Sequence, residues 1–101
     1  MKVFNAIINL VYTYLSKKNS MEASENFCEE YMEMFFTRSD ELEQELSQEC
    51  FEILDDLNLI CDSYEKNPDI READPHCIDE NELREKVELI LKMLGNKMHL
   101  I

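Results

Sequence analysis

Residues Asp40–Tyr64 read DELEQELSQECFEILDDLNLICDSY. Apolar side chains recur through this stretch at three- and four-residue steps: Leu42, Leu46, Cys50, Ile53, Leu54, Leu57, Ile60, Cys61 and Tyr64. Such spacing keeps one face of a 3.6-residue helix apolar, and no strand alternation competes with it. The period predicts one long helix over residues 40–64, with Ser39 as its N-cap. At about 1.5 Å per residue it would span about 37 Å, with a kink or break expected near Asp55–Asn58. Its early acids, Asp40, Glu41 and Glu43, suit the positive end of a helix dipole. Asp55, Asp56 and Asp62 lie on the half where that effect cannot explain them.

On the N-terminal side, Val3, Phe4, Ile7, Leu10, Val11 and Tyr14 mark a helix over residues 2–17. Lys17 and Lys18 close it, where positive charge suits the carbonyl end. A second helix is predicted over residues 21–37, with Ser20 as N-cap and Phe27, Tyr31, Met34 and Phe35 as its stripe. Glu25, Glu29 and Glu33 repeat every four residues with no Lys or Arg between them. Each such like-charge pair costs a few tenths of a kcal/mol, about 0.2–0.5, in an isolated helix.

On the C-terminal side, Asn67-Pro68-Asp69 and Asp74-Pro75-His76 predict a loop over residues 65–78. A last helix begins at Asp79, which resembles the cap of a capping box completed by Glu82; Ile78 and Leu83 fit the hydrophobic staple. Leu83, Val87, Ile90, Leu91 and Leu94 form its stripe, and Glu82–Lys86 and Glu88–Lys92 are favourable pairs four apart. Gly95 fits the position just past the helix end, leaving residues 96–101 as a tail packed through Met98 and Leu100. The chain has one Gly and two Pro in 101 residues, few breakers and therefore long helices. The fold predicted is all-α, an antiparallel four-helix bundle forming a single domain over residues 1–101.

Hydrophobic residues make up 45% of the chain and charged ones 33%, which disfavours general disorder. The charge is not spread evenly. Glu22–Glu65 carries fifteen acidic side chains and one basic one, Arg38, a formal −14 against −13 for the whole chain. Self-repulsion of this kind destabilises a compact state, and solubility needs far less. Two readings follow: a well-solvated helical face, or a surface for a strongly basic partner such as a nucleic-acid-binding protein. Charge alone does not separate them.

Catalytic signals are sparse. With its only glycine at position 95 the chain has no phosphate-cradling loop. His76 and His99 have no carboxylate three residues before them, as a di-metal bundle would want. Cys28, Cys50, Cys61 and Cys77 include no Cys-x-x-Cys, so zinc is not expected and the cysteines read as reduced packing residues. Met1–Leu15 is interrupted by Asn5, Asn9, Tyr12 and Thr13 and is too short to span a bilayer. A cytoplasmic, non-enzymatic protein without cofactor, metal or membrane contact is the expectation.

One resemblance gathers these features. Asp62-Ser63-Tyr64-Glu65, then Pro68-Asp69, then Ile78-Asp79-Glu80-Asn81-x-Leu83 before a final amphipathic helix, is similar to the colicin D immunity protein family. The wider group includes immunity proteins of contact-dependent growth inhibition systems. The apolar first helix, the Phe27-Cys28 helix and the acid-capped last helix fall in the family order, so the resemblance covers nearly the whole chain. It implies a small helical bundle that binds a cognate nuclease toxin, a tRNA-cleaving one, and fills its basic cleft with carboxylates in place of phosphates. It carries that role to Asp62, Glu65 and Asp69. This chain adds Lys66 and Asn67 before Pro68 relative to the family pattern. Asp55, Asp56, Glu72 and Asp74 would form the surrounding field and Tyr64 a packing anchor. The partner implied is the toxin's C-terminal domain in a 1:1 complex, with no direct contact to nucleic acid. The alternative is an acidic nucleic-acid mimic or adaptor that blocks a different nucleic-acid-binding protein.

Overall fold

The computed structural model describes residues 1–98, and every regular element among them is a helix. α1 spans Lys2–Ser16, α2 Met21–Glu45, α3 Gln48–Ser63, α4 Pro68–Ala73 and α5 Glu80–Met98. The chain is thus all-α, as its periodicity predicts, but with five helices rather than four and with different boundaries in the middle. The helix expected over residues 40–64 does not exist as one piece. Its first six residues belong to α2, which continues through Ser39 after a kink at Arg38 (φ −127°, ψ 19°). The break falls at Leu46, which is extended, and Ser47, whose hydroxyl caps α3 by accepting from the Cys50 N–H at 3.3 Å. Residues 55–58, where the sequence suggests a break, lie inside regular α3. The apolar period hides the break because Leu46 and Cys50 stay four residues apart across it. The kink has a local cause: the Thr37 hydroxyl bonds back to the Glu33 carbonyl at 2.9 Å, a contact that bends helices.

Two further expectations are corrected. The loop over residues 65–78 contains α4, started by Asn67, whose side chain accepts from the Asp69 N–H at 2.9 Å. Gly95 does not end the last helix; it is buried within α5, which runs on to Met98. Packing explains this. Leu94 is fully buried, and Lys97 reaches Glu49 of α3 at 3.1 Å, enough to offset the roughly 1 kcal/mol helical penalty of glycine. The start of α5 matches expectation: Asp79 accepts from the Glu82 N–H at 2.9 Å, and Ile78 and Leu83 are both buried. Among the described residues Glu82 makes no return bond to the cap and no ion pair with Lys86; Arg84 takes Glu88, at 4.0 Å, in place of Lys92. Leu100 and His99 lie outside the described residues.

α1 packs on α2 and α5; α3 packs on the same two; the backbones of α1 and α3 do not approach each other closely, nor does that of α4 approach another helix. One hydrophobic cluster runs between the four long helices. A ladder of rings forms its spine: Tyr14 stacks on Phe27 at 4.5 Å, Phe27 lies 6.0 Å from Tyr31, Tyr31 6.1 Å from Phe35, and Phe35 5.7 Å from Phe51. Such pairs add about 0.5–1.5 kcal/mol each beyond area burial. Tyr31, completely buried, donates its hydroxyl to the Leu54 carbonyl at 2.6 Å, which removes the penalty of burying it and ties α2 to α3. Among the described residues no helix is long and apolar enough to cross a membrane.

Candidate functional site

A cleft opens between the N-terminal half of α2 and the C-terminal end of α3. The core stripe of α2 passes through Ser24, Cys28, Tyr31 and Phe35, all buried. One step round the helix, Glu25, Glu29 and Met32 face the rim. On α3, Cys61 closes the floor beside Cys28, and Asp62 stands on the opposite rim. The chain then leaves α3 in a fixed direction. The Glu65 N–H donates to the Ile78 carbonyl at 3.0 Å and the Ile78 N–H donates to the Ser63 carbonyl at 2.9 Å, a short parallel bridge about Tyr64 and Ile78. This pins Tyr64, Glu65 and Lys66 against α2. Together these residues line an open cleft of about 190 Å³.

Four carboxylates border it, Glu25, Glu29, Asp62 and Glu65, against a single cation, Lys66. The Lys66 ammonium bonds both oxygens of Glu25, at 3.1 and 3.0 Å, which relieves the uninterrupted acids of α2 from outside the helix. Both partners are substantially exposed, so the pair contributes no more than about 1 kcal/mol and is easily exchanged. The other loop cation is committed elsewhere: Arg71 donates to the Glu65 carbonyl at 2.6 Å and so binds α4 to the cleft rim. Tyr64 is half-buried, and its hydroxyl donates to the Met21 carbonyl at 3.4 Å. Burial, then the carboxylate of Glu80, the thiol of Cys28 and the carboxylate of Glu25, push its pKa up to about 12 against the opposing pull of Arg71. It stays a neutral phenol at physiological pH. The Cys61 thiol is pushed far up by its hydrogen bond with Cys28 and by burial. It is a packing group rather than a nucleophile. Among the described residues no three His, Cys, Asp or Glu side chains gather as a metal would require.

The structure therefore brings Asp62, Tyr64 and Glu65 together at one cleft and leaves the other named residues around it. Asp55 is exposed on α3 two turns before Asp62 and in line with it, close enough to Tyr31 to act on its hydroxyl. Asp56 is exposed on the flank shared with Glu49, toward α5. Asp69, Glu72 and Asp74 are exposed on or next to α4, outside the cleft lining. The Asp74 side chain accepts from the His76 N–H at 2.9 Å and holds the following turn. Sequence reasoning does not place Glu25 and Glu29 of α2 in the site. Their four-residue repeat without a cation is the available signal, but spacing within α2 does not say which helix lies opposite.

Residues 1–94 match a family model described as bacterial self-protective colicin-like immunity. No curated protein and no solved structure matches the chain at a significant level. The match runs from α1 into the last turns of α5 and takes in every residue of the cleft, so the chain belongs to the bacterial self-protective colicin-like immunity family.

Proposed function

We propose that this chain acts as a single non-catalytic domain that binds the C-terminal nuclease domain of a cognate toxin 1:1 and neutralises it in the cytoplasm. Its carboxylates occupy the basic cleft where the toxin would hold the phosphates of transfer RNA. The observation that carries this reading is the convergence of Glu25 and Glu29 of α2, Asp62 of α3 and Glu65 just beyond it around one cleft, with only Lys66 among the lining residues to balance them. Asp55, Asp69, Glu72 and Asp74 extend the same field, and Asp56 lies on its far flank. Membership of a self-protective immunity family supports a toxin as the partner, and the acidic array supports a nucleic-acid-binding one. Short links of residues 17–20 and 46–47 between packed helices favour an antiparallel four-helix framework behind this face. A preformed carboxylate array suits the task because close charge pairs across an interface couple by about 1.5–7 kcal/mol, far more than the same pairs exposed.

The test is inhibition of transfer RNA cleavage by the purified C-terminal domain of the toxin encoded beside this chain. The wild-type chain should stop cleavage at equimolar ratio. Asp62→Lys combined with Glu29→Lys should raise Kd by at least about 100-fold, some 2.7 kcal/mol, while circular dichroism stays helical. Undiminished inhibition by the double variant would move the binding surface elsewhere. A toxin domain that leaves RNA intact would overturn the nuclease assignment.

A further inference from the structure

Charge gives an interface its encounter rate and selectivity, whereas tightness comes from a few apolar anchors. Tyr64 offers only part of its ring, which is half-buried, and its hydroxyl lies 3.4 Å from the Met21 carbonyl. One aromatic on the same flank is unengaged. Phe36 is 84% exposed, the most exposed large apolar side chain among the described residues. Glu25, Glu29, Met32 and Phe36 follow one another along α2 at steps of four, three and four, so they share a stripe, and the first three already line the cleft.

Phe36 has no packing duty. The core place in its turn belongs to Phe35, which stacks between Tyr31 and Phe51. Phe36 stands on the last regular turn before the Arg38 kink, with Glu33 three residues before it and Asp40 four residues after it. A solvated helix face would carry a charged or polar residue here. An apolar ring set among carboxylates also selects its own occupant. A second copy of this chain, or an anionic membrane, would meet the like charge of Glu33 and Asp40 beside the ring. A cationic protein surface would meet opposite charge.

We propose that the α2 stripe from Glu25 to Phe36, along the α3 seam, is the docking face for a basic partner protein, with Phe36 the anchor that enters an apolar pocket rimmed by Lys or Arg. The inference takes the partner's identity from the toxin-binding reading above. Lys66 yields Glu25 to a partner cation at one end of the stripe while Phe36 is buried at the other.

The experiment measures association and dissociation rates between the toxin C-terminal domain and the wild type, Phe36→Ala and Phe36→Leu, with sedimentation of each chain alone. Phe36→Ala should raise Kd by at least about 30-fold, the hot-spot range, through faster dissociation and with an unchanged melting temperature. Phe36→Leu should recover much of the loss. A change below about threefold for Phe36→Ala, while Asp62→Lys still weakens binding, would overturn the anchor and leave the proposed function standing. A wild-type dimer dissolved by Phe36→Ala would assign the ring to a second copy and overturn the inference. Absence of any binding by the wild type would overturn the functional reading and this inference with it.

Discussion

Two charged side chains hold α1 from outside it. The Glu45 carboxylate, at the end of α2, accepts from the Val3 N–H at 3.0 Å and the Phe4 N–H at 2.9 Å. Met1 precedes α1 without a side-chain cap, so Glu45 supplies both the missing acceptors and the negative charge that a helix N-terminus favours. At the other end, the Arg84 guanidinium of α5 donates to the Leu15 and Lys17 carbonyls and lies 5.5 Å above the Tyr14 ring. It takes the role that local sequence suggests for Lys17 and Lys18, which lie beyond the helix. The backbone bonds from Phe4 and Val3 hold the Glu45 pKa below its ordinary value. A carboxylate lowered on folding contributes stability above its unfolded pKa and loses it as pH falls through the folded one. Glu45→Gln should therefore lower the melting temperature at neutral pH, and the gap to wild type should close as pH falls below the glutamate range. Melting curves across that range check it.

At the scale of elements, what needs explaining is where helices stop. Ser20 and Ser47 cap in the same way, each accepting from the N–H three residues on, at 3.1 and 3.3 Å. Ser20 is legible because a polar connection precedes it. Ser47 is not, because Leu46 and Cys50 flank it with the apolar period intact. Ser39 offers the same chemistry, yet α2 runs through it. Local sequence cannot rank three serines; the packing of α2 and α3 against α5 does. Ser47→Ala should cost about 1 kcal/mol, in the usual 0.5–2 kcal/mol range for a lost cap, read from urea midpoints. Ser39→Ala should cost less than about 0.5 kcal/mol, as for substitutions away from such features. The end of α5 carries the same lesson, since Gly95 reads as a stop and is overridden by the burial of Leu94 and the Lys97–Glu49 contact.

At the scale of the whole molecule, the acidity sorts to one side of the fold. The −14 segment is the α2–α3 unit with its exit, while the remaining elements nearly balance. A field of that shape would steer a basic partner, as proposed, toward the cleft over about a Debye length, roughly 8 Å at physiological ionic strength. Association with the toxin domain should slow steeply as salt rises, while dissociation changes little; a flat salt profile in stopped-flow measurements would remove steering from the mechanism. Asp62 and Glu65 are legible as candidates because they crowd the end of a helix where acids do not help it and because they match the family resemblance, and Tyr64 because it ends that helix beside the acidic loop. Glu25 and Glu29 show there as mutually repelling neighbours, but the helix they face does not. By itself the sequence determined the fold class, the apolar face of each long helix, the caps at Ser20 and Asp79 and the concentration of charge. All of these follow from spacing over a turn or two, where residue type and helical geometry suffice. Only the tertiary structure decided the break at Leu46–Ser47, the capping of α1 by a residue about 42 positions away, and the assembly of the cleft from two helices. Each of these depends on which distant side chain satisfies a given backbone group or faces a given rim, and residue spacing along one helix carries no record of that.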